Sequence, residues 1–286
     1  KAVGFAYVDN NGDGRCGSFG ETVPFVWDAK GGMRRLDVSW PQPMPWTRAA
    51  AISGNGRVIV GTANIQAAAA WVDEGKMIDL GTIIGARDLY TTNYDGTRTP
   101  MYSAKRRQMV MWNAMRGTGD DAFTNIGGLR YCRDVPYYGW FGEDVCAELG
   151  AGAEEALFQQ LGYASMNVQA VTDKGDVVLG RAGGFFSGFA GGIWIEGLGW
   201  MSMEQFLRKQ GVVEAETLPV PYDNPTAISA SGSEIVGGIA GAQFSWMIKA
   251  DQVYVCENGQ SVLTGFPGGL RAKVAAGAKF GRCEYQ

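Results

Sequence analysis

The sequence predicts an all-β protein, a β-propeller of about five four-stranded blades with short helices and a disulfide-stapled insertion. Three observations predict it: a recurring tryptophan, a recurring glycine turn, and an excess of glycine placed largely at those turns. Trp27, Trp71, Trp112, Trp194 and Trp246 each end a short apolar run, as in Phe25-Val26-Trp27 and Gly192-Ile193-Trp194. The gaps are 44, 41, 82 and 52 residues (27 to 71, 71 to 112, 112 to 194, 194 to 246), so the third spans two periods or carries an insertion. Upstream of four of these tryptophans lies a second element, AISGNGRVIVG at 51–61, AVTDKGDVVLG at 170–180 and AISASGSEIVG at 227–237, with a degenerate copy through Asn93-Tyr94-Asp95-Gly96. Glycine supplies 43 of 286 residues, about 15% where roughly 7% is usual.

Each unit reads as a short strand, a tight turn ending in glycine where positive φ costs little, a β-branched strand, and a third strand carrying the tryptophan. A fourth strand closes the unit, as in Met77-Ile78-Asp79-Leu80. Four short strands per roughly 40 residues is the pattern of a propeller blade, which cannot bury both faces alone. The repeated tryptophans are therefore expected as core residues packing one unit on the next. A sixth unit would fit within 129–165, around Trp140.

The chain opens partway through a unit. Val3-Gly4 aligns with Val60-Gly61, Trp27 with Trp71, and 33–36 with 77–80, so the opening strand of the first unit is missing. Propellers remove such an edge by letting one terminus supply a strand to the other, which predicts a closing strand at 252–257 or just after it; a truncated chain is the alternative. The expected organisation is repeats over 1–250, with insertions at about 129–165 and 201–212, then a closing strand and tail over 251–286. The stretch 183–200, rich in glycine and aromatics, reads as two strands and not as a membrane span, since Glu196, Ser187 and the glycines suit lipid poorly.

Between the first two strands lies Asp9-Asn10-Asn11-Gly12-Asp13-Gly14-Arg15, extending to Glu21. Oxygen side chains at alternate positions followed by glycine match the first half of a calcium loop, with Asp9, Asn11, Asp13 and Glu21 as side-chain ligands and the Arg15 carbonyl helping. The second half departs from that loop: its twelfth position is Gly20, and Thr22-Val23-Pro24 begins a strand. A hairpin loop without metal is the alternative. The 129–165 insertion carries Tyr137, Tyr138 and Trp140, an aromatic group suited to a sugar or a partner protein, or to packing within the loop itself.

Five cysteines stand at 16, 132, 146, 256 and 283, with no C-x-x-C pair for zinc or iron–sulfur. Two local disulfides, Cys132–Cys146 and Cys256–Cys283, suit a secreted protein; five reduced, buried thiols are the alternative. Histidine is absent, which removes Ser-His-Asp and Cys-His nucleophiles, His-ligated zinc and axial-His haem. No phosphate loop or dinucleotide fingerprint occurs, so neither haem nor nucleotide is expected. A net charge of −4 gives no reason to expect nucleic acid, and Lys105-Arg106-Arg107 reads as a solvated strand end. The carboxylate pairs Asp120-Asp121, Glu143-Asp144 and Glu154-Glu155 read as solvated loop charge, because adjacent strand residues point to opposite faces.

The segment AAAISGNGRVIVGTANIQAAAAWVDEGKMIDLGTI at 49–83 resembles the bacterial extracellular repeats called HAF repeats, and so does MEQFLRKQGVV followed by TAISASGSEIVGG and Phe244-Ser245-Trp246. The resemblance covers most of 1–250, weakly over 84–165, and implies a secreted or surface-exposed propeller with a helical insertion between its last two repeats. The family motif carries a His before Ala-Phe that this chain lacks. The tail, Val253-Tyr254-Val255-Cys256-Glu257-Asn258-Gly259 to Gly281-Arg282-Cys283, resembles a motif of some secreted bacterial proteins in which such a strand is tied to a terminal cysteine. That likeness favours a Cys256–Cys283 disulfide, with Glu257 in place of the motif's His. Together these readings imply an extracellular, cell-surface or periplasmic module, structural or binding and without catalysis, meeting a protein or polysaccharide partner. The rival classes are a carboxylate-based enzyme acting on polysaccharide and a subunit of an extracellular filament or surface assembly.

Overall fold

In the computed structural model, residues 1–7, 22–38, 46–64, 67–87, 89–128, 166–184, 188–203, 206, 225–238, 245–249, 252–257, 260–263 and 279–282 are described. They are mostly β. The first sheet holds β1 (Ala2–Tyr7), β2 (Thr22–Asp28) and β3 (Gly32–Arg35). The second holds β4 (Arg48–Ile52), β5 (Val58–Ala63), β6 (Ala67–Val72) and β7 (Ile78–Asp79), followed by the short helix α1 (Leu80–Ile84). The third holds β8 (Thr99–Ser103), β9 (Gln108–Trp112) and β10 (Phe123–Gly127). The fourth holds β11 (Met166–Val171), β12 (Val177–Gly184), β13 (Gly188–Ile195) and β14 (Gly199–Ser202). The fifth holds β15 (Pro225–Ile228), β16 (Glu234–Gly238), β17 (Ser245–Lys249), β18 (Gln252–Glu257), β19 (Gln260–Leu263) and β20 (Lys279–Arg282).

Every sheet is an antiparallel meander of strands consecutive in sequence, and each of the five tryptophans lies in a different sheet, on β2, β6, β9, β13 and β17. The uniform four-strand expectation is corrected. Among the described residues the first and third sheets have three strands and the fifth has six. Residues 86–87, where the third sheet would begin, are shared out: Ala86 bridges Ser103 while Arg87 bridges Ala67. The expected fourth strand at 77–80 shrinks to two residues because Asp79 caps α1, its Oδ1 accepting from Thr82 N at 2.9 Å. The strand at 252–257 pairs with β17 and β19, and among the described residues β1 pairs with β2 alone. A tight hairpin between Lys249 and Gln252 closes a far shorter loop than a return to the first sheet would.

The chain packs as two compact units, Lys1–Gly127 with Asp173–Gly175, and Gly128–Thr172 with Asp176–Gln286. In the first unit, the period-2 alternation of strands sorts side chains between two cores. Ile59, Ala69 and Trp71 face the first sheet and meet Val26, Leu36 and Ala49. Val58, Val60, Ala68 and Ala70 face the other way and meet Leu80, Met101, Val110 and Trp112. β5 is buried along its whole length because it supplies both cores. Trp71 and Trp112 are fully buried, and their Nε1–H groups donate to the carbonyls of Asp37 at 2.6 Å and Gly117 at 2.7 Å, so neither of these two donors is stranded. Gly61 lies where β4 crosses close: a Cβ there would overlap the Arg48 carbonyl oxygen.

Trp27 corrects the expectation of a core residue, because it is 45% exposed. The reason is positional. Trp71 and Trp112 each pack on the sheet that precedes theirs, and within the first unit no sheet precedes the first. Trp27 and its cross-strand neighbour Met33, itself 64% exposed, share that uncovered face. In the second unit Trp194 is 8% exposed among buried Val178, Leu179 and Ile193. The Gly-spaced stretch 183–200 forms strands as expected, with β12 and β13 paired from Val177↔Ile195 to Gly184↔Gly188. Trp246 sits on β17, opposite Gly237 and Val255; its side chain lies outside the described residues.

The glycine turn has one hydrogen-bonding plan in all four copies. The first residue's N–H donates to the carbonyl five positions on: Ser53 to Val58 at 2.8 Å, Asn93 to Arg98 at 3.1 Å, Thr172 to Val177 at 3.1 Å and Ser229 to Glu234 at 2.8 Å. In return, the side-chain oxygen of that first residue accepts from the same partner's N–H, at 2.9 Å in Ser53, 2.9 Å in Asn93, 3.2 Å in Thr172 and 3.0 Å in Ser229. The glycine in the fourth position has φ of +72°, +76°, +71° and +79° at Gly56, Gly96, Gly175 and Gly232. The motif is thus a Ser, Thr or Asn acceptor followed three residues later by a left-handed glycine. Even the degenerate copy at 93–98 keeps both requirements.

Two positive-φ glycines separate backbone strain from crowding. Gly32, with φ +66° and open space around its Cβ position, is expected to cost about 1 kcal/mol when changed to Ala. Gly96→Ala is expected to cost 1–3 kcal/mol more, since its Cβ would overlap the Val58 side chain. Urea denaturation midpoints of the two variants check this, and equal shifts would contradict it.

Candidate functional site

One end of the first unit gathers aromatic rings and an arginine. Tyr7, the last residue of β1, pairs with Thr22, the first of β2. Thr22 in turn bridges Trp46 in parallel and donates through Oγ1 to the Thr47 carbonyl at 3.0 Å. This places Trp46 and Arg48 beside Phe5 and Tyr7. Phe5 and Tyr7, two apart on one strand face, meet edge to face at 5.9 Å and are 38% and 41% exposed. The Arg48 guanidinium carbon lies 4.4 Å from the Phe5 ring centroid and 5.7 Å from that of Trp46. Such contacts are worth about 0.5–1 kcal/mol each near the surface. The Arg48 Nε and the Thr47 Oγ1 are both shielded and have no hydrogen-bond partner among the described residues. Arg34, Arg57 and Arg106 each pair with a carboxylate, whereas Arg48 meets only rings among the described residues.

At the opposite end of β1, charges form a linked network. Lys1 Nζ lies 2.8 Å from Glu74 Oε1, and Arg34 joins Glu74 at 2.9 Å and Asp28 at 2.6 Å. The hydrogen bond from Arg34, with that of the Gly31 N–H behind it, holds the Asp28 carboxyl well below the usual range. Hydrogen bonds from Lys1 and then Arg34 do the same for Glu74. Arg57 grips Asp73 in bidentate fashion, at 2.8 and 2.7 Å, and lowers it likewise. At Asp95 burial pushes the carboxyl up, but hydrogen bonds from Thr97 and Asn93 outweigh it and leave it lowered.

The residues singled out in the sequence fall unevenly. Asp9, Asn11, Asp13, Arg15 and Glu21 lie outside the described residues, although the loop that holds them leaves and re-enters the sheet at the paired Tyr7 and Thr22. Tyr137, Tyr138, Trp140, Cys132, Cys146 and Cys283 also lie outside them. Cys256 stands on β18 opposite Ser245 and Ser261. Of the helical insertion at 201–212, Met203 and Phe206 are helical. Asp120 and Asp121 sit on a 3-10 turn, Asp120 fully exposed and paired with Arg106 at 2.9 Å, which agrees with loop charge. Lys105-Arg106-Arg107 forms the β8–β9 turn. Lys105 Nζ donates to the Thr82 and Ile83 carbonyls, and Arg106 donates to the carbonyl of Phe123 while lying 5.5 Å from its ring centroid. Among the described residues no three His, Cys, Asp or Glu side chains gather as a metal site.

No family model matches the chain, and no curated protein matches it. Solved structures similar to it include TolB from Acinetobacter baumannii, at 11% identity and TM-score 0.41 over 83% of this chain and 46% of that one. Two putative 6-phosphogluconolactonases are also similar. The one from Bacteroides uniformis has 11% identity and TM-score 0.35 over 83% and 61%, and the one from Bacteroides fragilis 10% and 0.34 over 85% and 62%. The chain spans about half the length of that TolB and about three fifths of the other two. At such identities and scores these likenesses do not establish a shared fold. No helix among the described residues is long and apolar enough to cross a membrane.

The lowered carboxylates set an acid limit. Their folded values lie below the unfolded ones, so the stability they contribute is complete above the ordinary carboxylate range near pH ~4 and is lost as pH falls through the depressed values. The melting temperature is therefore expected to fall steadily below about pH 4. Glu74→Gln should flatten that decline, and an unchanged slope in a pH series would refute the network's part in it.

Proposed function

We propose that the protein is an extracellular or cell-surface β-propeller, its five Trp-bearing sheets the blades, acting as a non-catalytic binding module for a polysaccharide or protein partner. The observation that carries this reading is the group formed by the exposed Phe5 and Tyr7 with the half-buried Trp46 and Arg48, on a scaffold of repeated sheets. Rings and a cation together suit adhesion to a ligand. The likeness to HAF repeats supports the extracellular setting and the blade reading, and the tail motif supports the Cys256–Cys283 disulfide. A periplasmic setting is compatible with the same features. Asp9, Asn11, Asp13 and Glu21, with the Arg15 carbonyl, form a calcium loop in this proposal. Bound Ca²⁺ stabilises the loop that joins Tyr7 to Thr22, next to the binding residues.

The binding role is tested by sedimenting the protein with insoluble polysaccharides. Retention without release of reducing ends is expected, and steady release of reducing ends would replace the binding module with an enzyme. For the metal, a chelator should lower the melting temperature, by about 2.7 kcal/mol of lost stabilisation when free Ca²⁺ stood a hundredfold above Kd. Asp13→Ala should lose the response, and a chelator-insensitive wild type would exclude a stabilising ion. Mass mapping under non-reducing conditions should recover the 132–146 and 256–283 cross-links; free thiols at 256 and 283 would count against the extracellular setting.

A further inference from the structure

We propose that Arg48, flanked by Phe5 and Trp46, anchors a subsite for the carboxylate of an acidic sugar, so that the polysaccharide recognised here carries uronate residues. The proposal rests on the binding-module reading and names its ligand. Three features of the group point to it.

The first is an uncommitted cation. Arg48 is half-buried, its guanidinium lies 4.4 Å from the Phe5 centroid, its Nε is shielded from solvent, and among the described residues no carboxylate or carbonyl reaches it. A guanidinium fixed by stacking presents its remaining N–H fork in a set plane, which matches a carboxylate in bidentate fashion. A side chain so held loses little further freedom when the ligand arrives. The second feature is the rings. Phe5 and Tyr7 present more than a third of their surface to solvent at mutual right angles, a corner that apolar C–H groups of a pyranose can fill. The third is the count of cations, one in the group among the described residues. One arginine in an aromatic setting answers one carboxylate per sugar residue; a phosphate or sulfate cluster calls for several cations together. An acidic peptide could supply the carboxylate, but a Glu or Asp side chain brings no apolar face for the rings, so the sugar is favoured.

The test measures binding of an oligogalacturonate by isothermal titration, with its carboxyl-reduced counterpart, a cello-oligosaccharide and poly-glutamate as comparisons. The wild type is expected to bind the oligogalacturonate, more weakly as salt rises. Carboxyl reduction and the Arg48→Gln variant are each expected to weaken binding about tenfold or more, as befits loss of a charge-assisted hydrogen bond. Tyr7→Ala should weaken binding to the oligogalacturonate while keeping the circular dichroism spectrum and the cooperative melting of a folded protein. It stands as the second probe should Arg48→Gln fail to fold. Equal binding of the acid and its reduced form would overturn the subsite while leaving a polysaccharide-binding module in place. Poly-glutamate bound as tightly as the oligogalacturonate, and lost in Arg48→Gln, would overturn the sugar identity. Failure to bind any polysaccharide would overturn both the subsite and the reading beneath it.

Discussion

A sheet of three or four strands has two faces and can hide neither by itself, and the first unit resolves this with one residue per sheet. Trp71 and Trp112 each cross to the sheet before their own, burying a whole indole there. The largest side chain is thus spent on contact between sheets and not within one. Removal of such a residue typically costs 3–5 kcal/mol, a large share of a domain's net stability. The small residues around it follow from the same constraint. Ala68, Ala69 and Ala70 on β6 leave the room that the neighbouring indoles and the β5 side chains fill. The N–H groups of these two indoles end on the carbonyls of Asp37 and Gly117, so burial leaves neither unmatched.

That arrangement was legible in the sequence to the extent that it is local. A tryptophan closing a β-branched or alanine-rich run, preceded by a Ser, Thr or Asn and a glycine three residues later, marks a hairpin whose hydrogen bonds span only five residues. Local rules suffice for such a hairpin, and each repeated tryptophan fell in its own sheet. What could not be read was the number of strands a sheet would gather at its edges. Asp79 serves α1 as a cap, cutting β7 short, while the short Lys249–Gln252 connection draws β18 onto β17. The exposure of Trp27 was hidden for a related reason: its sequence context is that of a core residue, and its surroundings depend on which sheet stands beside it.

The binding group was less legible still. Phe5 and Arg48 stand 43 residues apart (5 to 48), and Lys1 and Glu74 are 73 apart, so neither pair leaves a spacing signal in the chain. The alternation Phe5-Ala6-Tyr7 and Trp46-Thr47-Arg48 does leave a faint one, with large side chains two apart at strand ends, where core packing does not require them. The residues that look chemical in isolation lie elsewhere. Of these, Asp120 proved to be bound to Arg106, and Lys105 to the carbonyls at the end of α1.

Each sheet is assembled from strands that follow one another along the chain, and among the described residues no strand is exchanged between sheets. Such a chain is a string of cassettes. Copying or deleting one cassette of roughly 40 residues adds or removes a whole hydrogen-bonded sheet and leaves every other ladder intact. Within the first unit, each junction offers a face that accepts the next indole. Sequence change of this kind alters the number of sheets far more readily than it alters the inside of any one of them.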